Sequence, residues 1–214
     1  MCRLGLVGGA HATDGIYMLT NVTVAGLLRP RERTRAGFYD VVLVIAGSFL
    51  IGLSAKVQVL LPFSPVPVTG QTFAVLMLGA LLGARRGSLA VLAYLVEGAA
   101  GMPVFAFGGG FAVLLGPTGG YLIGFIPAAY LTGRLAEKGW DRRIGTTILA
   151  MILGNAAIYT CGLFWLSCLV GFSTKVLTVG LYPFVFGDLL KIAFAAALLP
   201  SGWKLVKFGG LKTP

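Results

Sequence analysis

Asp188 and Lys191 place an acid and a base three positions apart in VFGDLLKIAF (185–194), a stretch that is otherwise apolar. Residues three positions apart lie on one face of a helix. In lipid, each charge costs about 2.5–3.5 kcal/mol at the centre of a span. Two interpretations account for the pair: an ion pair within one helix, or a ligand site in which the lysine suits a carboxylate and the aspartate an N–H donor.

Four further polar residues are predicted to lie at the same depth as this pair, near the outer face. Counting 1.5 Å per helical residue from the basic ends of the segments brings them to one level; they are Gln71, Glu97, Asn155 and Tyr159. Each also has a structural interpretation: helix capping for Gln71, an interfacial position for Glu97, interhelical hydrogen bonding for Asn155 and an aromatic-belt position for Tyr159. Their common level favours one polar site.

The elements that carry these residues are apolar segments. The 214-residue chain has a mean hydropathy of +0.90 and only 11% charged residues, whereas a soluble domain carries about 25%. Breaks at Gly, Pro and charge clusters separate six segments, at 38–60, 70–84, 88–101, 118–136, 144–170 and 181–203. We therefore predict an all-α polytopic membrane protein with six transmembrane helices.

The basic residues predict the orientation. The net charge is +10, which in a soluble protein would suggest nucleic acid, but here the basic residues lie between apolar segments and no nucleic-acid partner is expected. Fourteen of the seventeen Lys and Arg residues lie in the two chain ends, at the turn between segments 2 and 3, or at the turn between segments 4 and 5, and six spans put all of these on one side of the membrane. Only Lys56, Lys175 and Lys191 fall in or near the other side. Both termini are therefore expected to be cytoplasmic.

Three parts of the chain are expected. Residues 1–36 form a basic cytoplasmic tail, in which Met18 is an alternative translation start. Residues 37–204 form the six-helix substrate-binding domain in the membrane, and residues 205–214 form a cytoplasmic tail.

A glycine-rich stretch, GGGFAVLLGPTGG (108–120), imitates a phosphate loop but lacks its G-K-[ST] ending. No ATPase is therefore encoded here. The stretch is either a flexible loop or a lid over a site, with Phe105, Phe107 and Phe111 as apolar cover.

The chain has few of the residues that bind metals or act in catalysis. The chain has one histidine, His11, and three cysteines, Cys2, Cys161 and Cys168, with no C-x-x-C pair. We expect no catalytic residues, no metal and no cofactor. The polar groups and surrounding aromatic residues suit a small amphipathic acid with a neutral polar head such as a urea.

Four blocks in order resemble the BioY family, the biotin-binding S components of energy-coupling-factor (ECF) transporters. The blocks are LPFSPVPVTGQTFAVLMLGALLGARRGSLAVLAYLVEGAAGMPVFA (61–106), LLGPTGGYLIGF (114–125), GNAAIYTCGLFWL (154–166) and YPFVFGDLLKIAFAAALL (182–199). The resemblance covers roughly 38–204, nearly the whole predicted bundle.

The resemblance implies a multi-pass protein of a prokaryotic plasma membrane, surrounded by lipid, that binds biotin with high affinity at its outer face. The implied partners are a transmembrane coupling protein and two ATPase subunits, although some family members are reported to act alone. Matched motif by motif, the implied biotin-binding residues are Asp188 and Lys191, and less directly Gln71, Tyr94, Glu97, Asn155 and Tyr159.

S components also present small residues of their first helix to the coupling protein. Ser48, Gly52 and Ala55 form such a face here, and packing within the bundle is the alternative. Three rival functions stay open: an S component for another vitamin, a transporter without ATPases, which usually shows internal repeats, and an intramembrane enzyme, which would need a His, paired acids or metal ligands.

Overall fold

The computed structural model describes residues 23–30 and 32–208, and these form a helical bundle with one small hairpin. The helices are α1 (Val24–Leu27), α2 (Arg33–Ala55), α3 (Gln71–Leu82), α4 (Ala84–Ala99), α5 (Phe111–Leu115), α6 (Gly119–Glu137), α7 (Ile144–Val170), α8 (Lys175–Gly180) and α9 (Tyr182–Phe208), with a 3₁₀ turn at Trp140–Arg142. The hairpin pairs β1 (Gln58–Val59) with β2 (Val68–Thr69) in antiparallel fashion.

Each of the six predicted segments overlaps one of the long helices α2, α3, α4, α6, α7 and α9. Within the residues that the structure describes, three stretches are long and apolar enough to cross a membrane: Arg33–Ala55, Ile144–Val170 and Lys175–Val206. Large apolar side chains cover the outside of the bundle, such as Leu53 (69% exposed) and Phe194 (64% exposed). A surface of this kind is unfavourable in water and suits contact with lipid. The protein is therefore a multi-pass helical membrane protein.

Two predicted boundaries are wrong. The first segment does not run to residue 60, because α2 ends at Ala55 and the hairpin begins at Gln58. The third does not begin at 88. Gly83 alone separates α3 from α4, at a φ of +89° that L side chains rarely adopt. Arg85 and Arg86 therefore lie in the first turn of α4 and not in a turn between helices.

The ends of the chain lie partly outside the described residues. The predicted tail 1–36 includes residues 1–22, with Cys2, His11 and the alternative start Met18, which lie outside them, as do residues 209–214. Within the described part, α2 begins at Arg33, three residues before the predicted end of the tail.

The small-residue face of α2 packs inside the bundle. Ser48 and Ala55 are fully buried, and a Cβ on Gly52 would lie 3.2 Å from the side chain of Val104. The structure therefore agrees with packing of this face within the bundle and not with its exposure to a coupling protein. The opposite face of α2 is the exposed one, with Phe49 (55%) and Leu53 (69%) among its apolar side chains.

The most extensive helix packing joins α6 to α7. A Cβ on Gly120 would lie 2.2 Å from Cβ of Trp165, so the two backbones approach only because that position has no side chain. The same approach brings Tyr121 of α6 near Tyr159 of α7, with ring centroids 6.5 Å apart. This contact forms one wall of the cavity described next.

Candidate functional site

A cavity lies at the end of the bundle where α3, α6 and α9 begin. The loop between α4 and α6 covers it, and its wall is largely aromatic, with contributions from Phe105, Phe107, Tyr121, Phe125, Tyr159 and Phe184. Its polar lining comes from Thr69, Gln71, Thr72, Thr118 and Lys191. The space inside is about 50 Å³, little more than a water molecule's share of liquid volume, about 30 Å³.

Lys191 links α9 to α3 at the base of this cavity. Its Nζ donates to Oδ1 of Asp188, 3.1 Å away on the same helix, and to Oγ1 of Thr72 on α3 at 2.8 Å. The predicted ion pair is therefore present, but the same ammonium group also lines the cavity. An ammonium has three donors, so one remains after these two contacts.

Asp188 is held from a second side by Tyr159, whose hydroxyl donates to Oδ2 of the carboxylate. The Asp188 side chain is only 7% exposed, against 21% for Lys191. Asp188 does not line the cavity, whereas both of its partners do. The aspartate therefore positions the two side chains that reach the cavity.

Gln71 begins α3 and links the cavity to the layer behind it. Its Nε2 donates to the hydroxyl of Tyr94, and its Oε1 accepts from the hydroxyl of Thr69 at 3.0 Å. Tyr94 is fully buried and packs edge-on against Phe105, with ring centroids 5.3 Å apart. Gln71 therefore faces the cavity, and Tyr94 supports it from behind.

Asn155 and Glu97 lie away from the main cavity. Asn155 borders a smaller neighbouring space together with Thr72 and Lys191, and within the described residues its Oδ1 has no hydrogen-bond partner. Glu97 lies between α4 and α2, where its Oε1 accepts from the hydroxyl of Ser48 at 2.8 Å. Counting along helices gave a depth but no direction around the bundle, and Glu97 points toward α2.

Sequence reasoning missed Thr72, Tyr121 and Phe184. Thr72 directly follows Gln71 in the first turn of α3, so its hydroxyl was the available signal. Tyr121 donates to the carbonyl of Gly180 at 2.8 Å, which ties α6 to α8, a contact with no local signature. Of the three predicted covering residues, Phe105 and Phe107 line the cavity, while Phe111 is 62% exposed and does not.

The covering loop is fastened at several points. Lys56, just after α2, donates to the carbonyl of Phe105 at 3.0 Å, and Gln58 in β1 donates to that of Ala106 at 3.2 Å. At its far end, the indole of Trp165 donates to the carbonyl of Gly116 at 3.0 Å. The loop is thereby held against the hairpin and α7.

In the part of the chain that the structure describes, no group of His, Cys, Asp and Glu side chains is arranged to hold a metal ion. The fold is that of a helical membrane protein, and a loop covers a small aromatic and polar cavity at one end of its bundle. Residues 28–208 match the model of the BioY family. The chain belongs to the BioY family, so the resemblance seen in the sequence is confirmed.

Relatives are similar over most of their length. The biotin transporter BioY of Thermotoga maritima is 41% identical over 157 residues, covering 73% of this chain and 92% of that protein. The biotin transporter BioY of Rhizobium etli is 36% identical over 168 residues, covering 74% and 90%. These relatives are named as transporters, and the expectation that the protein is not an enzyme is confirmed.

The fold is similar to a crystal structure of the S component for biotin from an ECF-type ABC transporter. The TM-score is 0.69 at 24% identity, covering 82% of this chain and 95% of that chain. The two chains therefore share the S-component fold.

Proposed function

We propose that this protein is the S component of an ECF-type ABC transporter and takes up biotin by binding it in the cavity between α3, α6, α7 and α9. The observation that carries the proposal is the Tyr159–Asp188–Lys191–Thr72 chain of hydrogen bonds at the base of an aromatic cavity. Family membership and relatives named biotin transporters support it.

The proposed topology has six spans, with both termini in the cytoplasm of a prokaryote and the cavity at the outer face. The cavity lies where α3, α6 and α9 begin, and Arg85, Arg134 and Arg143 lie at the opposite ends of α4, α6 and α7. An excess of basic residues marks the cytoplasmic side. The three-part division into 1–36, 37–204 and 205–214 belongs to the same proposal.

Biotin offers a ureido head, an apolar bicycle and a carboxylate tail. Lys191 is the cation at the cavity, and we assign it to the carboxylate. Asp188, which does not line the cavity, contributes to biotin binding by keeping Lys191 and Tyr159 in place. Gln71 supplies an amide to the head group.

The remaining predicted residues take indirect roles. Tyr94 holds Gln71. Asn155 borders the same small space as Lys191, and its amide oxygen has no hydrogen-bond partner among the described residues. Glu97 contributes through the packing of α2 on α4, through Ser48. The aromatic wall covers the apolar bicycle.

Binding requires the covering loop to move. Ligand sites usually enclose about 300–1,000 Å³, whereas this cavity holds about 50 Å³. The wall outside the long helices has two parts. One is the segment 101–118, which contains Phe105 and Phe107, and the other is the hairpin segment that contains Thr69. We propose that the segment 101–118 opens to admit biotin and closes over it.

The proposed partners are a transmembrane coupling protein and two ATPase subunits, because the glycine-rich stretch 108–120 lacks a phosphate-loop lysine. Uptake of labelled biotin by cells that express the chain with and without such a module tests this. Uptake only with the module supports the proposal, and equal uptake without it favours a stand-alone transporter.

The ligand assignment has its own experiment. Wild type is expected to bind biotin at least tenfold more tightly than the carboxamide of biotin, and Lys191→Gln is expected to lose that preference. Lys175→Gln, an exposed lysine at the same end of the bundle, is the control. Tight binding of a different vitamin would favour an S component of another specificity.

A further inference from the structure

A second and larger cavity of about 920 Å³ opens on the outside of the bundle, between α2 and α4. Its walls are apolar side chains, including Val41 and Ile45 of α2 and Leu92 and Val96 of α4, all of them 45–60% exposed. From Arg85 to Val96 the groove follows eleven residues of α4, or about 16 Å. That length is close to half of a hydrocarbon core about 30 Å thick.

One end of this groove is cationic. Arg29, Arg85 and Arg86 line it there, together with the carboxylates of Asp40 and Glu137. Arg29 and Arg86 each lie 2.7 Å from Asp40, which leaves one carboxylate shared between two guanidinium groups.

Arg85 is the arginine left over in this cluster. Glu137 is already engaged, because it accepts from the backbone N–H of Ala84 at 2.9 Å and pairs with Arg134 at 3.1 Å. Among residues 23–30 and 32–208, Arg85 has no ion pair, and it is exposed beside the groove. The cluster therefore has an unbalanced positive charge at one end of an apolar groove.

We propose that this groove binds an anionic phospholipid. The phosphate pairs with Arg85, Arg29 and Arg86, and one acyl chain lies along α2 and α4. Charge at one end only, an apolar length of one leaflet and an opening to the outside of the bundle match the chemistry of such a lipid. The site is separate from the biotin cavity and independent of that assignment.

The test uses the full chain purified in detergent, with phosphatidylglycerol and phosphatidylcholine of identical acyl chains as probes, measured by native mass spectrometry. Wild type is expected to prefer phosphatidylglycerol at least tenfold, and Arg85→Gln is expected to reduce the preference to threefold or less. Arg143→Gln, which removes an equal charge from the start of α7 outside the groove, should keep it. Ala93→Phe, which fills the groove from α4, should weaken binding of both lipids.

Four results overturn the proposal. Equal binding of the two lipids by wild type would show that the groove does not select an anionic head group. An equal loss of the preference in Arg143→Gln and Arg85→Gln would attribute it to diffuse surface charge. Unchanged lipid binding in Ala93→Phe excludes the groove. A photoreactive group at position 92 should yield a lipid adduct in membranes, whereas an adduct only with a coupling protein, or with residues 1–22 of the chain, makes the groove a protein contact.

Discussion

Lys191 on α9 lies 2.8 Å from the hydroxyl of Thr72 on α3, a residue 119 positions earlier in the chain. The same Nζ lies 3.1 Å from Asp188. The acid and base that stand out in the sequence are thus an ion pair, and the base, Lys191, also lines the cavity. A charged pair of this kind inside a membrane protein is a functional candidate in its own right.

Replacement of Asp188 by Asn is expected to weaken biotin binding at least tenfold while the protein still folds. The amide still accepts from Tyr159, but it no longer neutralises Lys191, so the ammonium loses its position. Binding is measured by titration calorimetry, and folding by gel filtration and thermal unfolding. If the variant unfolds, the pair is structural and its role in binding is refuted.

Tyr159→Phe removes the hydrogen bond to Asp188 and keeps the ring that packs against Tyr121. We expect biotin affinity to fall by about 1–2 kcal/mol, or roughly five- to thirtyfold. In a double-mutant cycle with Asp188→Asn, the loss of binding free energy in the double variant should be smaller than the sum of the two single losses by about 0.5 kcal/mol or more, because both substitutions act on one contact. Strictly additive losses would show that Tyr159 acts on the ligand independently of Asp188.

The six helices could be predicted because apolar runs with Gly, Pro and charged breaks are a local signal. Directions around the bundle could not, because a uniformly apolar helix has no face that marks the inside. Glu97 is predicted to lie at the level of Asp188, yet it contacts Ser48 instead of the cavity. Ser48 itself faces inward, although small residues are equally suited to contacts between proteins.

Contacts between residues far apart in the chain could not be predicted either, as Thr72 shows. A threonine in an apolar helix is unremarkable until a partner 119 positions away reaches it. Gln71 and Tyr94 were included only through the family motifs or an approximate depth, and their mutual hydrogen bond explains why both belong to one site. Long-range pairing of this kind has no periodic or local signature.

Lys56→Met is expected to speed biotin dissociation about fivefold, with a smaller effect on folding. The substitution removes the hydrogen bond to the carbonyl of Phe105 that fastens the covering loop, worth about 1 kcal/mol. Stopped-flow displacement of bound biotin measures the rate. Lys175→Met, at the same end of the bundle, should leave the rate unchanged; an equal effect in both variants would point to surface charge.

Asp141 is expected to destabilise the protein above pH 6. Burial raises the pKa of this carboxyl to about 6, against the lowering effects of the hydrogen bond from Trp203 and the charge of Arg142. Between about pH 4 and pH 6 the folded state holds a proton that the unfolded state has released, so stability falls as pH rises. The full effect, up to about 3 kcal/mol, is present above pH 6.

Asp141→Asn should therefore raise the apparent Tm by a few degrees at pH 7.5 and by less at pH 4.5. The asparagine oxygen still accepts from the indole of Trp203. Asp40→Asn, which breaks ion pairs with Arg29 and Arg86, should give no gain at pH 7.5. An equal gain for Asp141→Asn at both pH values would attribute the effect to packing and not to titration.

The most direct test of the account is a calorimetric titration of the purified full-length protein with biotin, run beside thiamine and riboflavin. We predict saturable one-to-one binding of biotin with a Kd below about 1 µM and no measurable heat of binding for the other two vitamins. No binding at micromolar biotin, or tighter binding of another vitamin, would contradict the assignment.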